Sequence, residues 1–393
     1  MYKVLLIGEY SNVHATLAEG LRALGHQVTV VSNGDFWKDY PRDIDVARQP
    51  GKWGGLRLMA RLYRLLPRLR GYDVVQLINP MFFELKAERL YFFYDYLRSH
   101  NGKVFLGAFG MDWYWVHECV YKRPLRYSDF NIGNQLRSDA EAMRYRNDWL
   151  GTPKGKLNRY IADDCDGIIT GLYEYDVCYR PHFPEKTTFI PFPIRTQGSA
   201  PKGSDFSAPQ GSDLSVSVDQ GSDLSVSVED DTEGSDPALR LFIGINKERS
   251  AYKGTDIMLR AAKDIARKYP DRLTLQIAES VPFAEYQQMM NRSDAILDQL
   301  YSYTPSMNAL LAMSKGIVCI GGGEPENYDI IGERELRPII NVEPTYESVF
   351  SALESLVLHP EQLPALQQES RTYIHRHHDH LEVARRYLDA WQR

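Results

Sequence analysis

Short apolar runs rich in β-branched residues alternate with segments of helical spacing from the start of the chain. Val4–Ile7 and Val28–Val31 read as strands, and between them Ala15–Leu24 has helical periodicity ending at Gly25. Asp73–Leu77, Val104–Leu106, Gly167–Thr170 and Thr188–Ile190 continue the strand series. The runs lack polar/apolar alternation, which suits parallel strands covered on both faces. Strand alternating with helix predicts a doubly wound α/β sheet.

The pattern stops at Gln197. To about Asp236 the chain is Ser, Asp, Gly and Pro with few large apolar residues, and it holds a tandem copy, QGSDLSVSV at Gln210–Val218 and again at Gln220–Val228. Two copies are too few to stack as a solenoid, and the composition buries too little surface to offset ordering entropy. It is expected to be a flexible acidic linker. Beyond it the alternation resumes: strands at Leu241–Ile245, Leu273–Ala278, Ala295–Leu297 and Ile317–Ile320, and helices at Thr255–Tyr269, Glu285–Asn291 and Ser306–Lys315. Helices at about Tyr346–Leu358, Pro360–His375 and Leu381–Trp391 close the chain. The expected organisation is a first domain over 1–195, a linker over 196–238, a second domain over 239–378, and a terminal helix over 379–393 that packs back on the first domain. Ligands of such sheets bind beyond the carboxyl ends of the strands, which places the site in the cleft between domains.

Composition narrows the chemistry. At 393 residues the chain suits two domains, and a net charge of −6 gives it no general attraction to nucleic acid. No apolar run approaches the roughly 20 residues that span a bilayer, and the first residues read as a strand, not a signal peptide. Cys119, Cys165, Cys178 and Cys319 are scattered without metal-ligand spacing, so reduced thiols, no metal and a cytoplasmic location are expected. The loop GEYSNVHATL has a single glycine, so the dinucleotide fingerprint G-x-G-x-x-G is absent. HRHHDH at His375–His380 reads as a solvated helix junction.

Two segments of the second half bear on anion binding. INKERSAYKGTD places Lys247, Arg249 and Lys253 just before a helix, where free N–H groups and the helix dipole add to side-chain charge; a solvated basic loop is the alternative. In YTPSMNALLAMSKG, Thr304 is read as an N-cap and Pro305 as the first helical turn, which would aim the N–H groups of Ser306, Met307 and Asn308 into the cleft.

The order of these pieces resembles the family 4 glycosyltransferases and their GT-B relatives. By that resemblance Arg249, Lys247 and Lys253, with Gly254 following, would hold the donor diphosphate. Leu310–Gly316 is similar to the family's Leu-Glu-Ala-Met-Ala-x-Gly helix, and CIGGGEPENYD, with Glu324, to the Gly-rich turn after it. IADDCDGIIT and TTFIPFPI are similar to the segments that end the family's first domain. The resemblance implies two Rossmann-like domains, a nucleoside-diphosphate-sugar as co-substrate without cofactor or metal, retention at the anomeric carbon, and a glycan or lipid-linked acceptor.

The chain departs from the family at two glutamates eight positions apart, whose places are taken by Tyr303 and Leu311. Leu311 cannot accept hydrogen bonds from ribose. Glu324, Glu326 and Asp298 are the nearby carboxylates. A non-catalytic nucleotide-sugar-binding or partner protein, and an epimerase acting on the nucleotide-sugar, are the competing readings.

On the first-domain side, His14 follows the first strand and Asp112 lies in GAFGMDWYW among aromatics that could stack on a sugar; both are candidates for catalysis, and core or capping roles compete. Arg57, Arg61, Arg64 and Arg68 make one stripe of a helix whose other face is leucine. Such a helix can lie on the inner face of an anionic membrane as a peripheral contact, or meet solvent while its leucines pack on the sheet.

Overall fold

A computed structural model describes residues 1–196, 239–246, 250–279 and 281–393. The repeat-bearing linker therefore lies, apart from Thr196, outside the described residues, as do Lys247 and Arg249.

The first half begins β1 (Lys3–Ile7), α1 (Val13–Ala23), β2 (Gln27–Ser32), β3 (Ile44–Asp45), α2 (Gly54–Leu65), β4 (Val74–Leu77), α3 (Ala87–His100) and β5 (Lys103–Ala108). It continues α4 (Trp113–His117), the hairpin β6 (Asn131–Ile132) and β7 (Gln135–Leu136), α5 (Ala140–Trp149), α6 (Pro153–Asp164), β8 (Gly167–Thr170), α7 (Tyr173–Tyr179) and β9 (Thr187–Phe189). Among the described residues seven strands form one sheet in the order β3-β2-β1-β4-β5-β8-β9, and each neighbouring pair in it is parallel. The central strands are buried along nearly their whole length, as unalternated apolar runs require.

The second half runs β10 (Leu239–Ile245), α8 (Ser250–Lys253), α9 (Thr255–Lys268), β11 (Leu273–Glu279), α10 (Phe283–Asn291), β12 (Ala295–Leu297), α11 (Met307–Ser314), β13 (Val318–Ile320), α12 (Pro325–Ile331), α13 (Tyr346–Leu358), α14 (Leu363–His377) and α15 (His380–Gln392). Its described strands form a parallel sheet ordered β11-β10-β12-β13. The two doubly wound sheets expected from the alternation are both present. Each reverses its winding direction beside its first strand, between β1 and β4 and again between β10 and β12.

The terminal helix α15 lies against α1. Gly20, in the middle of α1, permits this approach, because a Cβ there would sit 2.3 Å from the carbonyl oxygen of His380. Val383, Ala384, Tyr387 and Trp391 join the apolar cluster of Val4, Leu6, Leu17 and Leu21. Trp391 Nε1 donates to Gln76 Oε1 (3.4 Å), and Lys103 Nζ to the Trp391 carbonyl (3.0 Å). The histidine run is not a solvated junction. His377 and His378 are buried, the first bonded to Glu333 Oε2 (2.7 Å) and the second, through Nδ1, to the Phe192 carbonyl (2.9 Å). The chain leaves the first sheet and returns to it side by side: the Ile194 N–H donates to the His378 carbonyl (2.7 Å) and the His380 N–H to the Ile194 carbonyl (3.1 Å).

Candidate functional site

Loops at the two reversal points face one cavity of about 610 Å³. The first half supplies an aromatic wall that includes Tyr10, Phe109, Trp115, Tyr145, Trp149 and Tyr175, with Asp35, Lys38, Glu84, Asp129, Asp148 and Lys154 among them. Two of these cations are committed, Lys38 to Asp35 (2.6 Å) and Lys154 to Asp148 (3.3 Å). The second half supplies Tyr252, Lys253, Gln299, Tyr301 and Ser302.

Lys253 ends the single turn α8 that follows β10. Gly254, next in the chain, is the N-cap of α9 with φ +72°, and a Cβ there would stand 2.6 Å from Leu300 Cβ, so both backbone sign and space call for glycine. The turn is held from the other half: Arg137 donates to the carbonyls of Ala251 (2.7 Å) and Tyr252 (3.0 Å), and its guanidinium lies 3.8 Å from the Tyr301 ring centroid. Tyr252 OH donates to Asp129 (2.5 Å), which also accepts from Trp115 Nε1 (3.2 Å). Opposite lies Asp298, whose carboxyl is pushed up by burial while the Lys253 charge draws it back. Of the three predicted diphosphate cations, then, Lys253 is placed on the cleft; Lys247 and Arg249 lie outside the described residues.

The predicted anion-gripping turn is built differently from expectation. The N-cap of α11 is Ser306, not Thr304, and Pro305 lies before the helix. The Ser306 N–H and hydroxyl are spent on Asp298 (3.2 and 2.9 Å), and the N–H groups of Tyr303 and Thr304 on Glu174 (2.6 and 3.0 Å). Of the three N–H groups that the sequence reading assigned to a ligand, that of Ser306 is thus taken by the chain's own Asp298, and Glu174 takes two amides just before them. Asn308 Nδ2 donates to Tyr286 OH (2.6 Å), and Met307 packs half-buried against the core.

Tyr303 and Glu324 sit in the contact between the halves and do not line the cavity. Tyr303 is buried, its hydroxyl accepting from the Arg126 N–H (2.7 Å). Glu324 takes Arg126 (2.6 Å) and the Tyr127 hydroxyl, while Arg126 also pairs with Glu326 (2.5 Å).

His14 and Asp112 are likewise turned into the fold. His14 is fully buried, Nδ1 bonded to the Gly8 carbonyl (2.8 Å), and burial lowers its pKa to about 3. It is neutral at pH 7. Glu9 accepts from the N–H groups of His14 (3.3 Å) and Ala15 (2.8 Å), so the anion position at the start of α1 is filled by this side chain; burial raises its carboxyl to about 8. Asp112 caps α4, accepting from the Trp115 N–H (2.8 Å) and Tyr179 OH (2.7 Å), with its pKa raised to about 7 by burial. Asp112 has its partners inside the domain, and His14, whose Nε2 has no hydrogen-bond partner among the described residues, is buried; neither lines the cavity.

Sequence reading missed the residues that join the halves: Arg126, Asp129, Arg137 and Glu174. None belongs to a local motif, and their partners lie more than 100 positions away.

No family model and no curated protein matches the chain. Solved structures do, across nearly its whole length. The Anabaena HepE protein in complex with UDP and glucose is similar with a TM-score of 0.53 at 9% identity, covering 100% of both chains. Sucrose-phosphate synthase from Thermosynechococcus elongatus gives 0.53 at 12%, covering 99% of this chain and 98% of its own. UDP-GlcNAc 2-epimerase from Neisseria meningitidis bound to UDP-GlcNAc gives 0.50 at 11%, covering 99% of each. At such identities the likeness speaks for architecture, and with the paired doubly wound sheets it establishes that this chain has the GT-B fold, two Rossmann-like domains facing each other across a cleft.

Proposed function

We propose that this protein is a glycosyltransferase that binds a nucleoside-diphosphate-sugar in the cleft and transfers the sugar to an acceptor held by the first half. The observation that carries this reading is the position of Lys253: a lysine on the second half, at the reversal point of its sheet, opening on a cavity whose opposite wall is aromatic and acidic. Aromatic faces beside carboxylates suit a sugar, since rings cover its C–H surface and carboxylates accept from its hydroxyls. Lys253 would stabilise the charge that develops on the departing diphosphate, which is the main lever for a transferase that uses no metal. Similar structures solved in complex with UDP or a UDP-sugar support this donor class. The acceptor is proposed to be a glycan or a lipid-linked glycan of surface polysaccharide or glycoconjugate synthesis.

Titration calorimetry with UDP, GDP, ADP and CMP conjugates tests the reading. Binding of a conjugate followed by sugar transfer or hydrolysis is the expected outcome; no heat with any conjugate would refute it. Binding without turnover would favour a nucleotide-sugar sensor. That second reading has its own support, because Tyr303 and Leu311 stand where the family has glutamates and the turn before α11 is filled internally.

The proposed workplace is the inner face of a membrane. Among the described residues no helix is long and apolar enough to cross one, so contact would be peripheral, through α2. Its Leu58 and Leu62 are buried, and Arg57, Arg61, Arg64 and Arg68 are exposed. A helix that merely packs on the sheet would hide its apolar side chains, yet Trp53 (66% exposed), Leu56 (55%) and Tyr63 (47%) stand outward among the arginines. Arginine with exposed aromatic rings suits an anionic interface. Co-sedimentation with phosphatidylglycerol vesicles, weak with phosphatidylcholine and lost in an Arg57→Ser/Arg61→Ser/Arg64→Ser variant, is the expected result; equal binding to both vesicles would refute the contact.

A further inference from the structure

A carboxylate of the first half is seated inside the second. Glu174, in the first turn of α7, is buried. Its Oε1 accepts from Ser302 Oγ (2.7 Å), the Tyr303 N–H (2.6 Å) and the Thr304 N–H (3.0 Å), and its Oε2 accepts from Thr304 Oγ1 (2.5 Å). Two amides and two hydroxyls thus converge on one side chain: an anion nest built by one domain and filled by the other.

The nest belongs to the segment between β12 and α11, at the reversal point of the second sheet, and both Ser302 and Glu174 line the cavity. The other cross-domain contacts act elsewhere. Arg126 pairs with Glu324 and Glu326 at the start of α12, and Arg137 holds the carbonyls of α8. Glu174 fixes the backbone of the turn itself, around position 303, where the resembling family carries an acidic side chain and this chain has tyrosine.

We propose that Glu174 is a positioning residue that shapes the Ser302–Thr304 turn for the donor, and that it does so only when the two domains are closed. The inference rests on the reading of the cleft as a nucleotide-sugar site. If the domains part, all four bonds break together, and the turn loses the group that orders its amides. A ligand that needs the ordered turn is then coupled to closure: whatever favours the closed arrangement tightens its binding, and the ligand in turn favours closure. The first domain thereby contributes to donor binding through the second domain's backbone, without a residue of its own on the diphosphate.

Glu174→Gln keeps shape and removes the charge, placing an amide N–H₂ among donors; Glu174→Ala removes the group. With UDP-glucose as probe on the full chain, Glu174→Gln is expected to weaken binding about tenfold, the scale of a lost charge-assisted hydrogen bond, and to raise KM more than it lowers kcat. Small-angle scattering should show a larger radius of gyration for Glu174→Ala than for the wild type at saturating UDP-glucose. Wild-type affinity and an unchanged radius in both variants, with only the melting temperature lowered, would overturn the proposal and leave Glu174 a structural contact. If the wild type itself binds no nucleotide-sugar, the donor reading fails separately. The ligand-free radii of wild type and Glu174→Ala then decide the closure role, equal radii refuting it and a wider variant sustaining it.

Discussion

Replacing Lys253 by alanine is expected to lower kcat/KM for the bound nucleotide-sugar by about 10²- to 10³-fold, the loss seen when one preorganised charge-stabilising group is removed. The size follows from where the charge sits. Lys253 ends α8 beside the N-cap of α9, so its ammonium adds to the field of a helix N-terminus, in a cleft partly screened from water, where one charge acts more strongly than at the surface. The fold should survive, because Lys253 is half-buried while the packing of its turn rests on Tyr252 and Gly254. A second consequence checks the geometry. The Lys253 charge draws down the raised carboxyl of Asp298; without it, Asp298 should hold its proton to higher pH. Steady-state kinetics, calorimetry and a melting curve on the same protein separate these effects. Unchanged turnover with an intact fold would remove Lys253 from the mechanism.

The largest expected effect on stability comes from the opposite end of the chain. Trp391 is 1% exposed, inserted between α15 and the first sheet beside Phe105 and Tyr387. Trp391→Ala should cost about 3–5 kcal/mol, as removal of a large buried aromatic does, and it strips the indole donor from buried Gln76. At roughly 2–4 °C per kcal/mol for a domain of this size, the unfolding transition of the first half should fall on the order of 10 °C in scanning calorimetry, with the second half less affected. A drop of only one or two degrees would mean that α15 is not integral to that core.

The layering was legible because it is carried by local pattern. Runs such as Val4–Ile7 and Leu241–Ile245 are unalternated and β-branched, which only a strand covered on both faces accommodates, and the structure extends them by a residue or two. The hairpin Asn131–Leu136 and the short α4 were not legible: their residues are mixed in character, and their shape is held by side-chain bonds, Asn131 to the Leu125 and Gly133 carbonyls and Asp112 to the Trp115 N–H and Tyr179. Site chemistry divided in the same way. Lys253 beside Gly254 could be read because a glycine of positive φ before a helix is a local requirement. His14, Asp112 and Glu324 are polar residues in plausible loops, but whether such a group faces a ligand or a buried partner depends on residues far away in sequence: Tyr179 for Asp112, Arg126 and Tyr127 for Glu324. Glu174 shows the converse, an unremarkable acidic residue in a Tyr-rich helix whose four partners lie about 130 positions further on.

The chain runs past itself at Ile194 and Asp379, and α15 begins at that pairing before packing along α1. The opening half is therefore completed by the residues that come last in the chain: its core closes only once the second sheet has been made between its two portions.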